Sequence, residues 1–200
     1  MYTKNSIGII NNLVMKKACR DEIIDYDLLG NPVRIQFTDR SCKEYVYAAD
    51  GRRLKTTHTT AVPSNNHLAL GEMVLLSPSH ILSVDSTEYL GNFLFDNGLF
   101  KQYHFDGGYF TTTGSEASYK YYVKDHLGSN RILANNNGAV QQATHYYPYG
   151  GIHHFSTNQG TQKYKYNGKE LDLMHGLNLY DYGARLYDPF GNHAFSKYGL

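Results

Sequence analysis

The pair Asp125 and His126 has the residue types of a catalytic dyad, because a carboxylate beside an imidazole can orient a general base. Neighbouring residues on a strand point to opposite faces, however, and no Ser or Cys stands in a recognisable nucleophile elbow. The surrounding segment Tyr122–Gly128 also has the Asp and Gly that are typical of a turn. We therefore interpret the pair as turn residues.

Four histidines offer the ligand type that zinc prefers: His145, His153, His154 and His175. Their spacing matches no closed zinc site, so exposed loop histidines are the favoured interpretation. Two cysteines do not form a disulfide framework, and Cys19 and Cys42 are predicted to be ordinary thiols. No metal and no cofactor are predicted.

The carboxylates of Asp181 and Asp188 are candidates for an acid–base pair. Both belong to Tyr-Asp turns, which gives them a sufficient structural role. The surrounding aromatic and guanidinium side chains are Tyr180, Tyr182, Arg185 and Tyr187. We expect this cluster to stabilise the fold rather than to bind a ligand, and we predict that the chain is not an enzyme.

A second group of tyrosines admits two interpretations. Such rings can stack on sugars or contact a partner protein, or they can pair across strands, where each pair contributes about 0.2–1 kcal/mol. Because tyrosines occur along most of the chain, the cross-strand role is favoured and a glycan or cell-surface partner is the alternative. The group comprises Tyr121, Tyr122, Tyr146, Tyr147 and Tyr149.

The elements that must position these side chains are β-strands. Short stretches such as Val33–Phe37 and Tyr119–Val123 are rich in β-branched and aromatic residues, several with alternating polarity. The predicted fold class is all-β, with antiparallel β-hairpin repeats that form a curved ribbon. An aromatic content of 14% excludes a disordered tail. A net charge of +1 argues against a nucleic-acid partner.

The turns between these stretches share a form, in which an aromatic residue precedes Asp or Asn and then Gly. Asp and Asn side chains bond to nearby backbone, and Gly accepts a positive φ, so each turn predicts a hairpin. The units recur about every 20 residues. They include Tyr26–Asn31, Tyr47–Arg52, Phe95–Gly98, Phe105–Gly108, Tyr122–Gly128, Tyr166–Lys169 and Tyr187–Asn192.

Two stretches depart from this pattern. Residues 56–88 contain no Lys or Arg and predict a loop insertion. Residues 169–175 contain helix formers that are closed by Gly176, which predicts one short helix. The N-terminus lacks the apolar region of a signal peptide, and no apolar run approaches the roughly 20 residues of a membrane span.

Four blocks carry a resemblance to a known family: Tyr122–Arg131, Tyr146–Gly150, Tyr166–Asp172 and Gly176–Pro189. In this order they resemble the YD repeats of bacterial RHS proteins and the RHS repeat-associated core domain. The resemblance covers roughly four-fifths of the chain. Its motif residues are Tyr26, Asp27, Gly30, Tyr47, Asp50, Gly51, Asp125, His126, Gly128, Arg131, Tyr147, Pro148, Gly150, Tyr166, Gly168, Glu170, Asp172, Gly176, Tyr182, Arg185, Tyr187, Asp188 and Pro189.

The resemblance implies a β-ribbon that, in full-length members of the family, spirals into a hollow shell around a variable C-terminal toxin domain. The partners would be the remainder of that shell or the toxin, and the family is typically secreted or at the cell surface. The implied organisation is an unassigned segment 1–25, YD-like repeats 26–118, a core domain 119–190 and a divergent tail 191–200.

After Pro189 the chain departs from the family pattern, because Gly191 stands one place early and Asn192 replaces an Arg. The later Asp-Pro segment that is associated with self-cleavage is not found, so self-cleavage is not implied and a protease ranks last. We expect a non-enzymatic structural module of an RHS-type shell; the alternative is a carbohydrate-binding or adhesion module. An open ribbon of this kind should self-associate through its sheet edges.

Overall fold

The computed structural model describes residues 15–19, 22–64, 67–68, 73–183, 185–191 and 193–195. Most of the predicted segment 1–25 and of the predicted tail 191–200 lies outside these residues. Within the described residues, 15–19, 22–25 and 193–195 belong to strands.

Twelve strands form one antiparallel sheet in which each strand pairs with its neighbours in sequence. The order runs from the first to the twelfth strand without closing, so the prediction of an all-β open ribbon is confirmed. The strands are β1 Met15–Cys19, β2 Glu22–Tyr26, β3 Pro32–Gln36, β4 Cys42–Tyr47, β5 Arg53–Ala61, β6 Ile81–Leu90, β7 Phe93–Asp96, β8 Leu99–Phe105, β9 Gly108–Thr113, β10 Glu116–Lys124, β11 Asn130–Asn135 and β12 Val140–Ala143.

Seven turns in the described part of the chain repeat one backbone pattern. The N–H of the first residue donates to the carbonyl four residues later, and the N–H of the fourth residue donates back to the first carbonyl. The fourth residue has a positive φ in every case, as expected for a type I turn followed by a bulge residue. These turns begin at Asp27, Phe37, Ala48, Asp125, Asn135, Tyr147 and Lys165.

Arg40 occupies the fourth position of one of these turns, whereas Gly150 shows where that position excludes a side chain. Its φ is 88°, and a Cβ atom there would lie 2.5 Å from the Tyr166 ring. A side chain at this position would therefore meet both backbone strain and a steric clash.

The predicted loop insertion at 56–88 is shorter than expected. Thr56–Ala61 belong to β5 and Ile81–Glu88 belong to β6, and the two strands pair with each other. The connection between them is 62–80 and ends in a 3₁₀ turn, Pro78–His80. The Thr-rich and Ser-rich sequences on either side have β-branched residues and few charges, and they pair as strands although they lack the basic residues of the other repeats.

A second, four-stranded sheet contains β13 Glu170–Asp172, β14 Leu179–Asp181, β15 Leu186–Asp188 and β16 His193–Phe195. The helix predicted at 169–175 is wrong, because Glu170–Asp172 pairs with β14. The flanking segments 166–168 and 174–176 are 3₁₀ turns. His175 and Gly176 have φ values of 47° and 76°, which a right-handed helix excludes.

The small sheet packs on one face of the ribbon, which we call the inner face. Leu177, Leu179 and Leu186 contact β2–β4 there, and each is at most 2% exposed. Full burial of such a side chain contributes about 1.5–3 kcal/mol. The ribbon residues in this core are Ile24, Tyr26, Ile35, Phe37 and Tyr45.

The β12 edge of the ribbon is covered by the chain that follows it. The N–H of Thr157 donates to the Ala143 carbonyl at 2.8 Å, and the side-chain amide of Asn158 donates to the Gln141 carbonyl at 3.0 Å. Gln159 Nε2 donates to the same Ala143 carbonyl at 2.8 Å. At the other end, β2 is the only described strand that pairs with β1.

Candidate functional site

A buried group of charges connects the ribbon to the small sheet, and we call this contact the junction. Arg53, the first residue of β5, donates from its two terminal nitrogens to Glu170 of β13 and Asp181 of β14. The side chains of the three residues are only 9–15% exposed. β13 and β14 are paired neighbours, so Glu170 and Asp181 stand directly opposite each other and one guanidinium bridges both.

Glu170 has more partners than Arg53 alone. Lys163 forms a second ion pair with it, and the Tyr89 hydroxyl lies 3.0 Å from one carboxylate oxygen and 3.2 Å from the other. Burial raises the pKa of Glu170, but Arg53 and Lys163 outweigh burial and lower the pKa to about 2. The carboxylate therefore stays charged at any physiological pH.

Asp181 responds differently to the same guanidinium. Burial raises its pKa above the ordinary value, and Arg53 offsets this only in part. Asp188, its predicted acid–base partner, instead accepts the backbone N–H of Phe190 at 2.8 Å in the turn after β15. Asp181 therefore forms an ion pair with Arg53 of the ribbon, whereas Asp188 accepts a hydrogen bond within a turn.

Two further contacts extend the junction. Lys43 of β4 forms an ion pair with Asp172, and the two side chains are 9% and 10% exposed. The Arg53 guanidinium also lies over the Tyr89 ring, 4.4 Å from its centre, which adds a cation–π contact. Charges on β4 and β5 are thereby matched with carboxylates on β13 and β14.

His175, one of the four candidate metal ligands, also lies at the junction and apart from the other three. Its Nε2 is 3.0 Å from His58 Nε2 of β5, and its Nδ1 is 3.1 Å from a carboxylate oxygen of Asp39. The rings of His153 and His154 are stacked at 4.1 Å in a different hairpin. No group of three or more potential ligands is placed to hold a metal ion among the described residues.

Two cavities border the junction. The larger, of about 410 Å³, lies beside Lys43, His58, Glu170 and Asp172. Lys165 also lines it and is fully buried; its Nζ donates to the Gln159 carbonyl at 2.9 Å, and burial lowers its pKa to about 7. The second cavity, of about 320 Å³, lies beside Tyr89, His104 and Tyr164.

Asp125 and His126 occupy a turn. Asp125 Oδ1 accepts the N–H groups of Leu127 and Ser129, both at 3.0 Å, while His126 is exposed. Arg131 lies 3.8 Å from the Asp125 carboxylate. The aspartate thus orders its own hairpin, as Asp27 does by accepting the N–H of Asn31 at 2.8 Å.

The predicted motif residues divide between turns and the junction. The turn residues are Asp27, Gly30, Asp50, Gly51, Asp125, His126, Gly128, Tyr147, Pro148, Gly150, Tyr166, Gly168, Gly176, Asp188 and Pro189. At the junction and the core beside it are Tyr26, Tyr47, Glu170 and Asp172. Arg131 belongs to β11 and Tyr187 to β15, while Tyr182 and Arg185 flank the bend at Gly183.

The tyrosines predicted as a surface group lie in different environments. Tyr121, Tyr147 and Tyr149 are 44–55% exposed. The hydroxyl of Tyr146, in contrast, donates to the Asn130 carbonyl at 2.7 Å, and burial raises the pKa of Tyr122 and Tyr146. In the group near the C-terminus, the Tyr180 hydroxyl donates to the Gly150 carbonyl at 2.8 Å.

Sequence reasoning missed several junction residues, which are Lys43, Arg53, His58, Tyr89 and Lys163. Arg53, Lys43 and Tyr89 have partners in the small sheet that are 81–129 positions away in sequence. Lys43 of β4 and Arg53 of β5 pair with carboxylates of the small sheet, so their burial depends on that sheet. No signal in the sequence identified this pairing.

The fold and the junction define an all-β hairpin ribbon with a small sheet docked on its inner face. None of the helical turns in the described residues is long or apolar enough to cross a bilayer. No family model matches the chain.

Solved structures that resemble this fold include Tc toxin chains. TcdB2-TccC3 matches with a TM-score of 0.60 and 18% identity, over 88% of this chain and 9% of that one. The same complex without its hypervariable C-terminal region gives 0.61 and 19%, over 89% and 9%. The Tc holotoxin pore of Photorhabdus luminescens gives 0.56 and 17%, over 86% and 8%.

Among curated proteins, salivary gland surface protein 1 of Aedes aegypti is 30% identical over 171 residues. The match includes 83% of this chain and 5% of that protein. The chain therefore spans less than a tenth of the length of each of these relatives.

Proposed function

We propose that the chain is a non-enzymatic structural module of an RHS-type shell that encloses and helps to deliver a C-terminal toxin domain. The observation that carries this proposal is the open ribbon with a docked small sheet, which follows Tc toxin chains over 86–89% of its length. Because the ribbon is not closed, further strands of the same shell can extend its inner face. This structural role requires no catalytic residue.

The junction supports the same role. Its ion pairs join strands that are more than a hundred positions apart in sequence. Removing one partner of a buried ion pair costs about 3–5 kcal/mol, so such contacts fix one arrangement of two sheets firmly. A shell wall that must keep its curvature around a cargo would need its two sheets held in one fixed arrangement.

The test transplants residues 15–195 into the segment of TcdB2-TccC3 that this chain matches. A shell module should give a chimera that assembles and in which proteinase K digests the C-terminal region no faster than in the parent complex measured in parallel. A matched chimera with Arg53→Ala should lose that resistance. An assembled chimera whose C-terminal region is digested as fast as free polypeptide would contradict the proposal.

The non-enzymatic part is tested separately on the purified chain. Intact mass should stay constant over several days near neutral pH, because Asp181 and Asp188 are engaged in an ion pair and a turn. Fragments that appear at a constant site and disappear on Asp188→Asn would show self-cleavage.

A carbohydrate-binding module is the second candidate, and the outward aromatic rings favour it. Phe93, Tyr119 and Tyr121 on β7 and β10 are 41–44% exposed, and contacting rings of β7–β10 form a continuous row between them. Glycan-array binding that is lost on Tyr119→Ala with Tyr121→Ala would support it. Tyr146 is unsuitable for this test, because its hydroxyl is bonded to the backbone.

A further inference from the structure

His58, His175 and Asp39 form a continuous hydrogen-bonded row at the junction, which connects the ribbon to the 174–176 turn. His58 of β5 is 6% exposed, and its Nε2 faces His175 Nε2 at 3.0 Å. His175 Nδ1 in turn faces the Asp39 carboxylate at 3.1 Å. Asp39 lies in the turn between β3 and β4, so both ends of the row are on the ribbon and its centre is on the 174–176 turn.

The partners determine where the hydrogens lie when both rings are neutral. Asp39 only accepts, so His175 carries its hydrogen on Nδ1 and its Nε2 accepts. His58 must then donate from Nε2, which leaves its Nδ1 to accept from the Thr60 hydroxyl at 3.4 Å. Every ring nitrogen has a suitable partner in this arrangement.

A second proton on the pair removes the contact. Two imidazolium rings present hydrogens to each other at both Nε2 atoms, and two positive charges at this separation repel strongly. Asp39 offsets the positive charge of His175, but Phe37, whose ring is 4.6 Å from that of His175, adds no second compensating charge.

We propose that His58, His175 and Asp39 form an acid-sensitive latch, which holds the 174–176 turn against the ribbon at neutral pH and releases it when both histidines are protonated. The inference goes beyond the shell proposal, because it concerns only the contact between ribbon and small sheet, whatever the chain encloses.

The charges around His58 favour this behaviour. Burial, His175 and Lys43 lower the pKa of His58, and Asp172 and Asp85 oppose them less strongly. Because the folded pKa lies below the unfolded value, the unfolded or released state binds more protons. The latch is therefore intact above about pH 6.5 and weakens as the pH falls.

The other ion pairs of the junction do not share the pH dependence of the latch. Glu170, with a pKa of about 2, keeps its ion pairs with Arg53 and Lys163 at mildly acidic pH. Asp181 has a raised pKa, and Lys165, which lines the same cavity as His58, has a pKa of about 7, so acid could also affect these two groups. Acid release through His58 must therefore be distinguished from acid effects on Asp181 and Lys165.

Hydrogen exchange of the full chain, measured by mass spectrometry and expressed as protection factors, makes this distinction. Between about pH 7.5 and about pH 5, protection of peptides covering 173–179 should fall at least about tenfold, while β8 and β9 keep theirs. His58→Gln can still donate to His175 but cannot become charged, so it should remove this pH step. His126→Gln, at an exposed turn, should leave the step unchanged.

An unchanged protection of 173–179 in the wild-type chain would overturn the latch. A pH step that persists in His58→Gln would also overturn it and would assign the effect to another group, such as Asp181 or Lys165. If His58→Gln does not fold, NMR titration of the wild-type chain decides. The His58 ring signals should then titrate below the ordinary histidine pKa, and titration of His58 at the ordinary pKa would refute the proposal.

Discussion

Replacing Arg53 by Ala tests whether buried charge holds the small sheet on the ribbon. The substitution leaves the carboxylates of Glu170 and Asp181, which are 9% and 11% exposed, without their shared guanidinium. Breaking a buried ion pair in this way costs about 3–5 kcal/mol. Lys163 and the Tyr89 hydroxyl remain beside Glu170, so we expect a loss near the middle of this range.

Urea denaturation followed by tyrosine fluorescence and circular dichroism measures the loss. With a slope of about 2.5 kcal/mol per M for a chain of this size, the midpoint should fall by about 1–2 M. Arg52→Ala is the matched control, because that residue pairs with Asp50 at 70% and 54% exposure. Solvent screens this exposed pair, so the control should move the midpoint much less than Arg53→Ala does.

Equal midpoints for the two arginine variants would refute the reasoning. They would mean that its leucines hold the small sheet on the ribbon and that water hydrates the carboxylates of Glu170 and Asp181 when Arg53 is absent. A lower pH gives a second check. Protonation of the two carboxylates relieves the unpaired charge, so the deficit of Arg53→Ala relative to the wild-type chain should shrink below about pH 4.5.

Three other predictions follow from the junction, the turns and the edges. Glu170 has a folded pKa of about 2, below its unfolded value, so its stabilising effect is present above about pH 4.5 and is lost towards pH 2; Glu170→Gln should flatten the wild-type stability curve over that interval in urea titrations. Gly150→Ala should destabilise the chain by about 1–3 kcal/mol more than Gly138→Ala, because only the former would place a Cβ against the Tyr166 ring; equal melting temperatures would contradict this. The purified chain should self-associate through β1, and light scattering that shows only monomer at high concentration would exclude such pairing.

The ribbon was predictable because its instructions are local. Asp27 with Gly30, and Asp50 with Gly51, combine a side chain that accepts nearby N–H groups with a residue that tolerates a positive φ. Each pair fixes a hairpin within about five residues, and alternation in the flanking strands fixes which side chains share a face. Neither signal depends on the rest of the chain.

The junction was not predictable because it depends on distant partners. Arg53 and Lys43 look like ordinary solvated strand residues until Glu170, Asp172 and Asp181 are brought opposite them. The wrong helix at 169–175 has a different cause, because pairing of β13 with the neighbouring strand β14 outweighs the helical propensity of a short segment.

The covered β12 edge gives the ribbon a direction. Hydrogen bonds from Thr157, Asn158 and Gln159 occupy the Gln141 and Ala143 carbonyls, so an incoming strand would find these acceptors in use. Among the described strands of the ribbon, β1 then remains for strand addition, while β13 and β16 are the outer strands of the small sheet. Two copies that meet through β1 would cover each other's ribbon edge and form a twofold pair, so association through this edge gives a dimer.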